Sequence, residues 1–402
     1  MGEATRRTTL LATGSALAAA VAGCTSASSL GTGTDNRTGQ EERAPQVIGD
    51  GSTSYTGSQP NQPTLPDLAP GKPPPQFVVF SWDGGGETDA GLLSRFRTVA
   101  RDVGASMTIF LSGLYLLRGV DATRYHPPRH EPGRSDIPFL SDESVRRTIV
   151  GIGESWREGH EIGTHFNGHF CSGAGSVARW SAADWTSEIE QAVWMTTHWR
   201  TTTGWSDLPS LPFDYTKELV GARTPCLLGS ESLIPAAARL GWRYDSSSSS
   251  RQVWPHQFPG TSMWNLSLSQ IPFPGHSFEV LAMDYNYMAN QSGPTPAKVA
   301  TRYAEWKAQA LGALLAGHER ALSGNRAPLI VGNHFEQWNG GIYMDAVEEA
   351  MRTMAKAPDT YLVSFRQLVD WLDRQDPILL AALQSLDVGK LPEGGWAALG
   401  AE

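Results

Sequence analysis

Gln76-Phe77-Val78-Val79-Phe80-Ser81-Trp82-Asp83-Gly84-Gly85-Gly86-Glu87 is the stretch on which the fold turns. It opens after Pro73-Pro74-Pro75 and ends in a polar, glycine-rich segment. An apolar run this short, bounded by turn residues, reads as a buried strand. Thr88 can cap a following helix that carries Leu92, Leu93, Phe96, Val99 and Val103 at helical spacing. Working outward, residues 107–111 read as a second strand, 143–156 as a helix and 159–163 as a turn entering a third strand. Residues 183–199 are amphipathic through Trp185, Ile189, Val193 and Trp199. Further strands are expected at 219–223, 242–245, 280–285, 329–332 and 361–363, and helices at 233–240, 295–322, 345–356 and 366–372. Repeated alternation of strand and helix argues for an α/β fold with a parallel sheet, open or closed into a barrel.

The chain has 402 residues and a formal net charge of −9. An acidic chain without a Lys/Arg run lacks the basic footprint that nucleic acid requires. Arg6 and Arg7 precede a short apolar stretch, 10–23, which suits a signal-peptide core and is too short to span a bilayer. Val21-Ala22-Gly23-Cys24 resembles a bacterial lipobox, and Thr5-Arg6-Arg7-Thr8-Thr9-Leu10-Leu11 resembles a twin-arginine signal. The expectation is an exported protein, lipid-anchored through Cys24 to the outer face of a bacterial cell membrane. Residues 24–75, rich in Gly, Ser, Thr and Pro, read as a flexible linker. Residues 76–375 read as one domain, and 376–402 as a tail that adds a terminal helix or frays. Cys171 and Cys226 remain, enough for one bridge outside the cell.

Titratable residues gather just past the ends of the expected strands, the edge at which parallel α/β folds build their sites. Asp83 follows the first strand, His165 and His169 the third, Arg223 closes Gly221-Ala222-Arg223-Thr224-Pro225, and His334 follows Ile330-Val331-Gly332-Asn333. Each has a bland alternative. Asp83 before three glycines could form an Asx turn, and a bare pair of histidines at i, i+4 is more often incidental than metal-binding. Arg223 could belong to a structural ion pair and His334 to the core.

In this order and at strand ends, the residues resemble the NodB-homology polysaccharide deacetylases of carbohydrate esterase family 4, in the style of the chitin-deacetylase branch. Phe80-Ser81-Trp82-Asp83-Gly84 resembles the family's first motif, Thr-Phe-Asp-Asp-Gly, and Thr108-Ile109-Phe110-Leu111 the strand after it. The segment from Gly159 to His169 resembles the second motif, whose histidines bind metal, and Gly221-Ala222-Arg223-Thr224-Pro225 resembles the third. Val253-Trp254-Pro255 lies where the family often has a Trp-bearing groove motif, and Ile330-Val331-Gly332-Asn333-His334 resembles the last. The resemblance implies a distorted (β/α) barrel. It implies a divalent metal, zinc by preference, held by Asp83, His165 and His169. It implies catalytic roles for Arg223 and His334, the latter as acid, and a substrate groove with Pro225, Trp254 and Asp284.

The first motif admits two registers. Matching on Gly84 makes Asp83 the metal ligand, puts Trp82 where the catalytic base belongs and leaves Arg223 without its usual carboxylate. Glu87, Asp89 or Asp284 would then have to supply one. An offset strand instead makes Asp83 the base and puts Gly84 at the ligand position. The expected activity is metal-dependent removal of N-acetyl groups from a peptidoglycan-like or chitin-like polymer, by a monomer that touches membrane only through its lipid. The alternative is a carbohydrate-binding lipoprotein without activity. The same mapping sets Cys171 and Cys226 beside the pocket, where a disulfide would pin two of its loops together.

Overall fold

The computed structural model describes residues 45–400, so the signal-like segment, Cys24 and the start of the expected linker lie outside the described residues. The strand expected from the opening stretch, β3 (Gln76–Gly84), is buried along its whole length. Successive side chains in a strand point to opposite faces. Val78, Phe80 and Trp82 enter one apolar cluster, and Phe77 and Val79 enter another. Ser81 and Asp83 fall on the second face. Trp82 is fully buried, packing on Phe96 and stacking on Phe335 with ring centroids 5.6 Å apart. Truncating a core aromatic of this kind costs about 3–5 kcal/mol.

Around β3 runs an eight-stranded sheet in which every pairing is parallel. β3 pairs with β12 (Leu329–His334), β4 (Thr108–Leu111) and β13 (Thr360–Leu362). Beyond β4 follow β5 (Glu161–Thr164), β6 (Gly221–Ala222), β7 (Tyr244–Asp245) and β9 (Trp264–Asn265). The ends of this path, β12 and β9, do not pair. A small sheet of β8 (Ser249–Arg251), β10 (Leu268–Pro272) and β11 (Glu279–Leu281) occupies the gap. Two bonds join it to β12, Gly332 N donating to Ala282 O at 2.9 Å and Ile330 N to Ser269 Oγ at 3.0 Å. The result is a curled, mostly parallel half-barrel wrapped by helices, in keeping with the distorted (β/α) barrel expected.

The helices are α1 (Leu92–Val103), α2 (Asp142–Arg157), α3 (Ala182–Thr197), α4 (Trp199–Thr203), α5 (Tyr215–Glu218) and α6 (Ser230–Arg239). They continue with α7 (Asp284–Gln291), α8 (Ala300–Leu322), α9 (Trp338–Met354), α10 (Phe365–Leu372) and α11 (Pro377–Gln384). Among the described residues no helix is long and apolar enough to cross a membrane. The strand expected at 280–285 stops at Leu281, and Asp284 opens α7 instead. An acidic side chain is favoured in a first helical turn, and Asp284 accepts there from Tyr285 N at 2.7 Å. The tail forms α11, capped by Asp376 with Pro377 at its first position.

Residues 45–75 depart from the expected linker. β1 (Gln46–Ile48) and β2 (Thr53–Tyr55) form an antiparallel hairpin. Ser54 N donates to Leu211 O, Trp199 Nε1 to Ser52 O, and Trp371 Nε1 to Pro66 O, each at 2.8 Å. The segment carries few apolar side chains, yet its backbone groups meet donors and acceptors of the domain, and Leu65 is buried as an anchor. Composition misses this because the partners are remote in sequence.

Candidate active site

Arg223 is fully buried beyond β6, and each guanidinium nitrogen has a partner. Nη1 donates to Asp83 Oδ1 at 2.8 Å and Ser81 Oγ at 2.9 Å, Nη2 to Ser246 Oγ at 2.9 Å, and Nε to Ser246 O at 3.1 Å. A buried charge must be paired and hydrogen-bonded to be tolerated, and this one is both. Arg223 therefore has a carboxylate partner. The expectation that it lacks one, with Glu87, Asp89 or Asp284 as substitute, is corrected. Trp82 does not face the site; the two-residue period of β3 turns it into the core and puts Asp83 beside Arg223. That alternation was available in the sequence, and it matches the offset register.

Asp83 Oδ2 has no hydrogen-bond partner among the described residues, and Asp83 lines a cleft of about 320 Å³. Burial pushes its carboxyl up, but the charges of Arg223 and His334 outweigh burial and hold it below the usual range. In the register of β12 on β3, His334 lies directly opposite Asp83. Asp284 Oδ1 accepts a hydrogen bond from His334 Nδ1 at 2.8 Å, and Oδ2 accepts one from the backbone N–H of the same residue at 2.7 Å. Burial opposes charge on this imidazole, but the fully buried Asp284, with help from Asp83, raises its pKa to about 9. Asp284 thus orients His334.

His165 and His169 reach the same cleft, with ring centroids 5.2 Å apart. His165 Nδ1 meets Arg223 O at 2.8 Å, and burial lowers its pKa to about 3, so the ring is neutral with Nε2 free. The loop between them is held from below. Glu188 of α3, fully buried, accepts from Tyr125 Oη at 2.9 Å and Asn167 N at 3.1 Å, while Tyr125 Oη accepts from Gly168 N at 3.0 Å. Cys171 and Cys226 are joined in a disulfide, Cα atoms 5.9 Å apart, which ties the loop beyond His169 to the turn beyond Arg223.

The expected ligand set for a metal is Asp83, His165 and His169. Its donor types suit zinc. The geometry does not: among the described residues, the three metal-ligating side chains whose donor atoms all lie within 4.8 Å are His169, Cys171 and Cys226, and the two sulfurs are bonded to each other. Asp83 Oδ1 is also taken by Arg223. The three residues do not fit the metal, and no step is assigned to one.

Two of the expected groove residues lie elsewhere. Trp254 is fully buried, stacks on Trp371 and donates through Nε1 to Asn325 O at 2.8 Å, so it belongs to the core. Pro225 is buried at the start of a tight turn, outside the cleft lining. Glu87 accepts from Ser94, and exposed Asp89 pairs with Arg147. The aromatic wall consists of Tyr115, Tyr285, Phe335 and Trp338. Tyr115 lies just past the end of β4, where strand-end position alone could have marked it.

No family model matches the chain, and neither does any curated protein. Solved structures similar to it include a protein from Mycobacterium smegmatis described as a polysaccharide deacetylase, with 16% identity, covering 78% of this chain and 97% of that one at a TM-score of 0.43. A CE4 esterase from Streptococcus mutans has 14% identity, covering 72% and 86% at a TM-score of 0.40. A CE4 family pseudoenzyme from Bacillus anthracis has 10% identity, covering 75% and 67% at a TM-score of 0.39. Likenesses this distant do not bear on the chemistry. That rests on the cleft: one carboxylate kept ionised, one imidazole kept protonated, on neighbouring strands.

Proposed function

We propose that this chain is a hydrolase that removes N-acetyl groups from an amino-sugar polymer of the cell wall or the extracellular space. The observation that carries the reading is the juxtaposition of Asp83, paired with Arg223, and His334, paired with Asp284; Asp83 and His334 sit at opposed positions of adjacent strands and are open to one cleft. Asp83 accepts a proton from water as the water oxygen attacks the acetyl carbonyl carbon. The protonated His334 Nε2 gives its proton to the amine nitrogen as the C–N bond breaks, releasing acetate. Arg223 keeps Asp83 ionised, and Asp284 keeps His334 charged and aimed. Tyr285 and Trp338 suit the faces of sugar rings. Export and a lipid on Cys24 would hold the domain, as a monomer, against wall glycan.

One observation favours the second reading, a glycan-binding protein without activity: the expected metal ligands do not converge. Acetate release from acetylated chitooligosaccharides and from peptidoglycan separates the two. The hydrolase reading requires release by the wild type and its loss in Asp83→Asn; glycan binding with no release would leave the second.

A further inference from the structure

Gly84 has φ 99°, a conformation that side chains rarely adopt. A Cβ there would lie 3.1 Å from Tyr115 Cε2, and one on Gly86 would lie 2.9 Å from Tyr115 Cδ2. The two glycines form a seat for the Tyr115 ring. Tyr115 therefore occupies the space that a carboxylate side chain at position 84, the ligand position of the offset register, would need.

The turn that carries Tyr115 is tied to the histidine loop, because Gly113 N donates to Phe166 O at 2.9 Å. Tyr115 lines the cleft with Asp83, His165, His169 and His334, and its hydroxyl has no hydrogen-bond partner among the described residues. Ser112, in the same turn and the same cleft wall, is fully buried, and its hydroxyl has no partner either. Buried hydroxyls are normally paired, so the unpaired one of Ser112, in the same cleft wall as the partly buried Tyr115, calls for a ligand. Burial, reinforced by Glu336, pushes the phenol up to about 12, so it stays a neutral donor.

We propose that the hydroxyls of Ser112 and Tyr115 form the oxyanion-binding site of this cleft. The inference rests on the hydrolase reading and names the groups that stabilise the charge developing on the acetyl oxygen. Donors fixed in advance by a rigid turn need no reorganisation when that charge appears.

The test compares wild type, Tyr115→Phe and Ser112→Ala in acetate release from chitooligosaccharides. It also compares their calorimetric binding of a methylphosphonamidate analogue of N-acetylglucosamine, whose tetrahedral oxygens mimic the intermediate. Removing one such donor is expected to lower kcat by about 10²–10³-fold, with KM and thermal midpoint little changed, and to weaken the analogue at least about tenfold. Tyr115→Phe, which keeps the ring in its seat, decides the matter if Ser112→Ala fails to fold. Unchanged analogue affinity in Tyr115→Phe, or no analogue binding by the wild type, overturns the proposal. Weakened analogue binding in a protein that releases no acetate would uphold the site and remove the hydrolase reading alone.

Discussion

Arg223 Nη1 donates to Asp83 Oδ1 across 2.8 Å, with both side chains almost wholly withdrawn from water. Removing one member of such a pair leaves the other charge buried and uncompensated, which costs about 3–5 kcal/mol. Arg223→Met should therefore unfold at markedly lower denaturant than wild type, and Arg223→Met with Asp83→Asn should recover part of the loss. Urea denaturation of the four proteins measures this coupling. Additive losses would mean the pair is no pair.

Asp83→Asn alone keeps an oxygen that can accept from Arg223, so it should stay folded although destabilised, and should lose activity by about 10²–10⁴-fold if Asp83 is the base. Acetate release at substrate saturation, with circular dichroism to verify folding, reads both effects. A variant as active as wild type would remove Asp83 from the reaction.

The pH profile is set by Asp284 and His334. The folded-state pKa of His334 is raised from 6.5 to about 9, so the acid form is present below about 9 and is lost as pH rises through it. Activity should fall on that alkaline limb. The stability contributed by the pair, complete below the unfolded value of 6.5, should be lost over the same window. In Asp284→Asn the main groups raising the pKa are gone and only Asp83 opposes burial, so the limb should move to lower pH. A limb that stays near 9 in kcat/KM against pH would assign it to another group.

Gly84→Ala tests the seat of Tyr115. It combines a left-handed backbone position with the 3.1 Å contact and should cost about 1–3 kcal/mol. In a Tyr115→Ala background the contact term vanishes while the backbone term remains, so the same substitution should cost less. Equal costs in both backgrounds, measured by chemical denaturation, would show that the ring does not occupy that space.

Reducing the Cys171–Cys226 bridge opens a loop spanning a sequence separation of 55 residues. Chain-entropy arguments give about 4 kcal/mol for a loop of this order. The thermal midpoint should drop on adding a reductant and should not respond in Cys171→Ser/Cys226→Ser. Intact mass under non-reducing conditions showing two free thiols would dispose of the bridge.

Much of the barrel was legible because its signals are local. The apolar run before Asp83, the helical spacing from Leu92 to Val103 and the glycine-bounded segments elsewhere reflect side-chain periodicity, which each stretch carries by itself. So does the placing of Asp83, His165, His169, Arg223 and His334 at one edge, since parallel strands all end on the same side. The alternation along β3 also carried the choice between Trp82 and Asp83, although motif spacing pointed to the other register. Tertiary structure alone decided the partnerships. Asp83 and Arg223 are 140 residues apart in sequence, and only strand order and the curl of the sheet bring them within hydrogen-bond reach. The same holds for Trp254, turned into the core, for residues 45–75, held by remote backbone partners, and for Tyr115, seated on glycines from another strand. Periodicity states which face a residue takes; it does not state what the rest of the chain will bring to meet it.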